Sequence, residues 1–153
     1  MKNWEIRFIV ENGILNITSH DLDAANAYKV VRFKSCIRTA SDSLIAMEES
    51  VIKEVGIDNP AYFNERRNEL TKKENLTESE IEELQGLNAK MMRYNELVAI
   101  QLNADAGIES NPMPYEQWKV LQDENRNIKV GDAELLILSE ASLEDILWRA
   151  PEE

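Results

Sequence analysis

Catalysis and metal binding need particular side chains at particular spacings, and this 153-residue chain offers few candidates. Its one histidine, His20, stands next to the expected N-cap of a long helix. A general base there is conceivable. However, the partial positive charge of a helix N-terminus opposes imidazolium, and no second histidine exists to build a metal site. A surface or capping role is expected for it. The single cysteine, Cys36, rules out an internal disulfide. It lies among Val31, Phe33, Ile37 and Ala40, which suits a small buried apolar residue better than a nucleophile without a histidine partner.

Carboxylates are plentiful but not arranged for acid–base work. Glu78, Glu80, Glu82 and Glu83 crowd a predicted helix N-terminus, where they complement the helix dipole. Glu48 and Glu49 flank an apolar stripe. Helix-bundle di-metal centres use inward-facing Glu-x-x-His pairs, and the chain has none. It also lacks a Gly-rich phosphate loop, paired zinc-type cysteines and a nucleophile elbow. No catalytic, cofactor-binding or metal-ligating residue is assigned, no cofactor is expected, and the chain reads as a non-enzyme. A small enzyme using carboxylates and a divalent ion is the least favoured of three functional readings.

Lys29, Arg32, Lys34 and Arg38 form the only basic cluster. At a net charge of −12, salt bridging to the acidic C-terminal part is more economical than nucleic-acid binding. The charge is uneven. Residues 1–57 carry 8 acids and 7 bases, residues 58–107 carry 10 and 6, and residues 108–153 carry 11 and 4. Such a chain disfavours nucleic acid and anionic membranes and favours solubility or a basic protein partner. The charged N-terminus and the absence of a long apolar run argue against a signal peptide or a membrane span, so a cytoplasmic protein is expected.

The element that would position most of these groups is a long helix with a seven-residue repeat. Val30, Ile37, Leu44 and Val51 recur every seven residues, with Phe33, Ala40 and Met47 three after the first three. That alternation draws one apolar seam down a helix and asks for a partner helix along it. The helix is expected over 19–56, from Ser19 with Asp21 and Asp23 in its first turn to Gly56 as its stop. At ~1.5 Å per residue it would span roughly 54 Å, against roughly 40 Å for a compact globule of this length. Self-association through the seam is therefore expected, with Val30, Phe33, Ile37, Leu44, Met47 and Val51 as interaction residues. Trp118 and Trp148 join them as aromatics that either complete the core or dock a partner.

The whole chain, 1–153, reads as one mainly α domain. Residues 1–18 suggest a β-hairpin, because Trp4, Ile6, Phe8 and Val10 alternate and Asn12-Gly13 suits a type I′ turn. Asn59 and Pro60 open a short helix over 59–74. Thr77-Glu78-Ser79-Glu80 is a capping box opening a second long helix over 77–105, whose end, 98–102, also alternates like a strand. The acidic segment 112–153 should hold a helix after Pro114, an extended piece at 128–130, a turn capped by Asp132, and a last helix from Ser142 through Leu147 and Trp148. The expected architecture packs the hairpin on a long antiparallel helical hairpin, with short C-terminal helices capping it.

This order of parts resembles a group of small tailed-phage and prophage proteins of unknown function. The correspondence runs through the β start, the long helix from Ala27-Tyr28-Lys29 to Lys53-Glu54-Val55-Gly56, and the Glu-rich stretch from Glu80 to Glu96. It continues through Pro112-Met113-Pro114-Tyr115 and the acidic-apolar end from Leu135 to Leu147. The resemblance implies a role in virion or tail assembly in a bacterial cytoplasm and nothing catalytic. The leading expectation is an assembly or adaptor protein acting by helix-mediated association. The alternative is an acidic decoy that inhibits a basic nucleic-acid-binding protein.

Overall fold

The computed structural model describes residues 1–126 and 143–151, together with the backbone pairing of 129–130 with 133–134. The chain is mainly helical: α1 Asn3–Glu11, α2 Ala24–Val55, α3 Pro60–Lys72, α4 Glu78–Leu102 and α5 Tyr115–Glu124. The strands have two residues each: β1 Met113–Pro114, β2 Lys129–Val130, β3 Ala133–Glu134 and β4 Trp148–Arg149. β1 pairs in parallel with β4, and β2 pairs antiparallel with β3. Two compact units result, Met1–Ser43 with Ala104–Glu153, and Leu44–Asn103. Helix α2 contributes residues to both.

The N-terminal β-hairpin is not formed; α1 replaces it. In the run from Trp4 to Val10 only Glu5 and Arg7 are charged, and the apolar residues at 4, 6, 8, 9 and 10 satisfy a period of two or of 3.6. Burial settles which one operates. Ile6 and Ile9, three residues apart, are buried, whereas Trp4 and Phe8 are about half exposed. In a hairpin Ile9 would face outward and Trp4 and Phe8 inward. Asn12-Gly13 ends the helix instead of turning a hairpin. Gly13 takes φ +85° just beyond the C-cap, and Asn12 Nδ2 donates to the Phe8 carbonyl at 2.7 Å. A helix stop and a type I′ turn both need positive φ, so the dipeptide alone cannot tell them apart. A 3₁₀ turn, Ile14–Asn16, follows, and Ile14 and Ile17 are buried.

In this first unit the chain start is fixed by backbone bonds. The N–H of Asn3 donates to Ala104 O at 3.0 Å, and that of Ala106 to Met1 O at 2.9 Å. Helix α2 starts five residues later than Ser19, because Asp23 is its cap. The Asp23 carboxylate accepts the Asn26 N–H at 2.9 Å. That backbone bond and the Asn26 side chain hold its pKa down. The helix continues without a break through Ser41-Asp42-Ser43, as the undisturbed heptad phase requires. It stops at Gly56, which adopts φ +85°.

The second unit keeps its expected caps. Asn59 Oδ1 accepts the Tyr62 N–H at 3.1 Å, with Pro60 in the first helical position. Thr77 and Glu80 exchange the two bonds of a capping box, at 3.1 and 3.2 Å. Residues 98–102 are helical, not a strand. Helix α3 packs most extensively against α4. Their antiparallel register is recorded by Lys73–Glu80 at 2.6 Å, Arg66–Glu83 at 2.7 Å and Arg67 Nε to Asn88 Oδ1 at 2.8 Å. The expected pairing of the two long helices, α2 with α4, is thus not the main one; the short helix α3 is the principal partner of α4. From the side of α2, Gly56 O accepts a bond from Lys90 Nζ at 3.0 Å.

The last helix expected through Leu147 and Trp148 is absent. Residues 143–147 form a turn that leads into β4, because Asp145 adopts φ +64° and a left-handed residue ends helical geometry. The extended piece at 128–130 is present as β2 at Lys129–Val130, while Ile128 and the turn expected at Asp132, Leu135 and Leu136 lie outside the described residues.

Candidate interaction surfaces

The seam is an apolar stripe, as its spacing dictates, and folding covers most of it. In the first unit Val30, Phe33 and Ile37 are buried. In the second unit Leu44 and Val51 are buried and Met47 is half-buried. One helix therefore feeds its apolar row into the core of each unit.

Trp118 and Trp148 come together. Trp118, on α5, is buried, and its ring stacks on that of Trp148 with centroids 5.4 Å apart and planes 12° from parallel. Tyr115 lies 5.8 Å from Trp148, and Lys119 Nζ sits 4.9 Å from the Tyr115 centroid. Met113, Leu121, Leu143 and Leu147 are buried in the same unit. Trp118 belongs to the core and Trp148 is half-buried against it, and the Trp148 indole N–H is buried there without a hydrogen-bond acceptor among the described residues.

The basic cluster is largely bonded within the first unit. Arg32 meets Glu109 at 2.7 Å, so the economical pairing with the acidic C-terminal part is what forms, and it raises the Arg32 pKa. Lys29 Nζ donates to the Pro112 carbonyl at 3.0 Å. Lys34 Nζ donates to the Ile17 carbonyl at 2.7 Å, and burial, then the charge of Arg38, lowers its pKa. Cys36 is half-buried beside Phe33, less covered than the buried position expected for it.

Sequence reasoning missed the clamp between the end of α5 and the loop 17–23. The Asn125 amide bonds Thr18 in both directions, and the Glu124 carboxylate accepts the Asp21 N–H. Gln117 Oε1 accepts the Asp23 N–H at 3.2 Å. Burial opposes the Glu124 charge, but bonds from the Thr18 hydroxyl and from the backbone of Asp21 and His20, with the charge of His20, bring its pKa below the usual range. His20 itself is exposed on this loop, a surface position as expected. The one local signal was an asparagine four residues after Leu121 in a polar stretch.

The surfaces left for association are rows of large apolar side chains that folding does not cover. On α1, Trp4 and Phe8, one turn apart, are 47% and 48% exposed. On α2, Tyr28 and Val31 are 62% and 58% exposed. In the second unit Ile45, Tyr62, Met92 and Ile100 are exposed on three helices. That unit also holds a cleft of about 110 Å³ lined by Ile52, Ile57, Pro60, Phe63, Asn64, Met91 and Tyr94. It is well below the roughly 300 Å³ at which small-molecule pockets begin and is closer to the size of one apolar side chain. Among the described residues no group of His, Cys, Asp and Glu could hold a metal ion, and no helix is long and apolar enough to cross a membrane.

No family model, no curated protein and no solved structure matches the chain.

Proposed function

We propose that this protein is a non-enzymatic assembly or adaptor protein that works by helix-mediated association. The observation that carries the reading is the pairing of exposed apolar residues one turn apart, Trp4 with Phe8 on α1 and Tyr28 with Val31 on α2. Scattered exposed apolar residues are ordinary on any surface, but neighbouring large ones on a helix face favour contact with another protein. Association through these rows replaces association through the α2 seam, whose residues the fold itself consumes. The resemblance to tailed-phage and prophage proteins, which loses its β start to α1, would place such an adaptor in virion or tail assembly.

Molar mass by light scattering, across a concentration series, tests the reading. Trp4→Ser with Phe8→Ser, or Tyr28→Ser with Val31→Ser, should lower the assembled fraction while leaving the melting temperature unchanged. A protein that is monomeric at every concentration, with the same mass in both double variants, would defeat the self-association form of the proposal.

The net charge of −12 favours a second reading, an acidic decoy for a basic nucleic-acid-binding protein. Its complex would weaken steeply as salt rises from roughly 50 to 200 mM, because exposed charges are screened over about 10 Å. Salt-insensitive binding would count against it.

A further inference from the structure

Residues 143–149 sit on the first unit much as a bound peptide sits in a groove. Main-chain bonds hold one side: the Asn111 N–H donates to Ile146 O at 3.0 Å, and the Met113 N–H donates to Leu147 O at 2.7 Å. β4 then continues in parallel with β1, Met113 opposite Trp148 and Pro114 opposite Arg149. Two side chains, Leu143 and Leu147, are fully buried as anchors, and Trp148 stacks on Trp118. Backbone pairing along an edge, with alternate side chains in pockets, is how extended peptides are recognised when they add a strand. The seat is also imperfect. The Trp148 indole N–H is buried without an acceptor among the described residues, and Asp145 occupies the left-handed region that a non-glycine residue adopts at a cost.

We infer that 143–149 is an exchangeable docking segment, and that the groove formed by 110–118 also takes this segment from a second copy of the chain. The inference rests on the self-association reading above and names its contact. When an identical element is exchanged between copies, every groove contact is remade unchanged. Only the connection and the loss of translational freedom separate the closed from the exchanged form. The two leucine anchors, the Trp118–Trp148 stack and the β1–β4 pairing would all form between chains, and each copy would complete the other's groove.

Two full-length variants test this, Cys36→Ser with Pro114→Cys and Cys36→Ser with Arg149→Cys, distinguished by a size tag. Positions 114 and 149 are opposed across β1 and β4, a separation that suits a disulfide. Both residues are exposed, and each variant should melt as the wild type does. After the two are mixed in equal amounts, unfolded, refolded together and mildly oxidised, exchange predicts a 114–149 heterodimer that grows with concentration and exceeds the sum of the two homodimers, which is all that random pairing of the thiols would give. If the segment stays on its own chain, positions 114 and 149 of different chains meet only by chance collision, and a heterodimer no more abundant than the two homodimers together overturns the inference. Light scattering on the same samples separates the two proposals. Assembly without the heterodimer cross-link rejects exchange and leaves the association reading standing, while monomers throughout reject both.

Discussion

Asn125 and Thr18, 107 residues apart, bind each other as two strands would. The Thr18 N–H donates to Asn125 Oδ1 at 2.8 Å, and Asn125 Nδ2 donates back to the Thr18 carbonyl at 2.8 Å. The same amide nitrogen donates to Leu121 O at 2.8 Å. Asn125 is 1% exposed, so water cannot readily replace these bonds. Asn125→Ala should cost about 2 kcal/mol, since it removes the three bonds of a buried amide, two to the Thr18 backbone and one to the Leu121 carbonyl. Asn125→Asp keeps the shape but sets a carboxylate against two carbonyls, and should cost at least as much. Urea denaturation of both variants measures this; a loss below about 0.5 kcal/mol, the range of ordinary surface changes, would show that the clamp does not hold the loop.

The seam separates folding from association. Ile37→Ala removes a fully buried side chain and should destabilise by about 2–4 kcal/mol, and Ile37→Asp with Leu44→Asp should abolish the cooperative melt. Ile45→Asp, on an exposed position of the same helix, should stay within about 0.5 kcal/mol of wild type. Thermal melts followed by circular dichroism decide between them. A doubly substituted protein that still melts cooperatively would mean that the seam is not core.

Two glycines should respond to alanine in opposite directions. Gly56 has φ +85°, and its Cβ would meet only the end of Lys90 at 3.7 Å, so backbone strain, not space, sets a cost of about 1 kcal/mol. Gly86 lies inside α4 with nothing within 4 Å of an added Cβ, and alanine there should stabilise by up to about 1 kcal/mol. Melting temperatures that move in the same direction would contradict this account.

Acid should loosen the α3–α4 hairpin. The Lys73 ammonium, then the Thr77 N–H, hold Glu80 down at about 2, and the Arg66 guanidinium holds Glu83 below the usual carboxylate range. A carboxylate whose folded pKa lies below its unfolded value gives stability that is complete above the unfolded value. That stability is lost as pH falls through the folded one. The denaturation midpoint should therefore hold from neutral pH to about 5 and decline between roughly pH 4.5 and 2. Glu80→Gln should flatten that decline, and a variant as acid-sensitive as wild type would remove Glu80 from the explanation.

What could be read from the sequence was what acts over a few residues. The Thr77–Glu80 capping box, the Asn59-Pro60 start, the stop at Gly56 and the heptad phase across 41–43 each depend on neighbours within one or two turns. Local stereochemistry fixes those wherever the rest of the chain goes. The economical pairing of the basic cluster with acidic residues was also legible, although Glu109 as the partner of Arg32 was not.

Only the tertiary structure could decide the remainder. The run from Trp4 to Val10 fits two periods, and the choice fell to whichever one buries Ile6 and Ile9 together. Asn12-Gly13 supplies positive φ to a turn or to a helix end, and the structure preceding it selects the use. Asn125 finds Thr18, and Trp148 finds Trp118, across separations that no periodicity spans. The seam shows the same division: its spacing determined that an apolar row exists, while the fold determined that the row is buried in the core. A hydrophobic stripe specifies burial without specifying the neighbour, because apolar contact is non-directional and accepts any surface of the right shape.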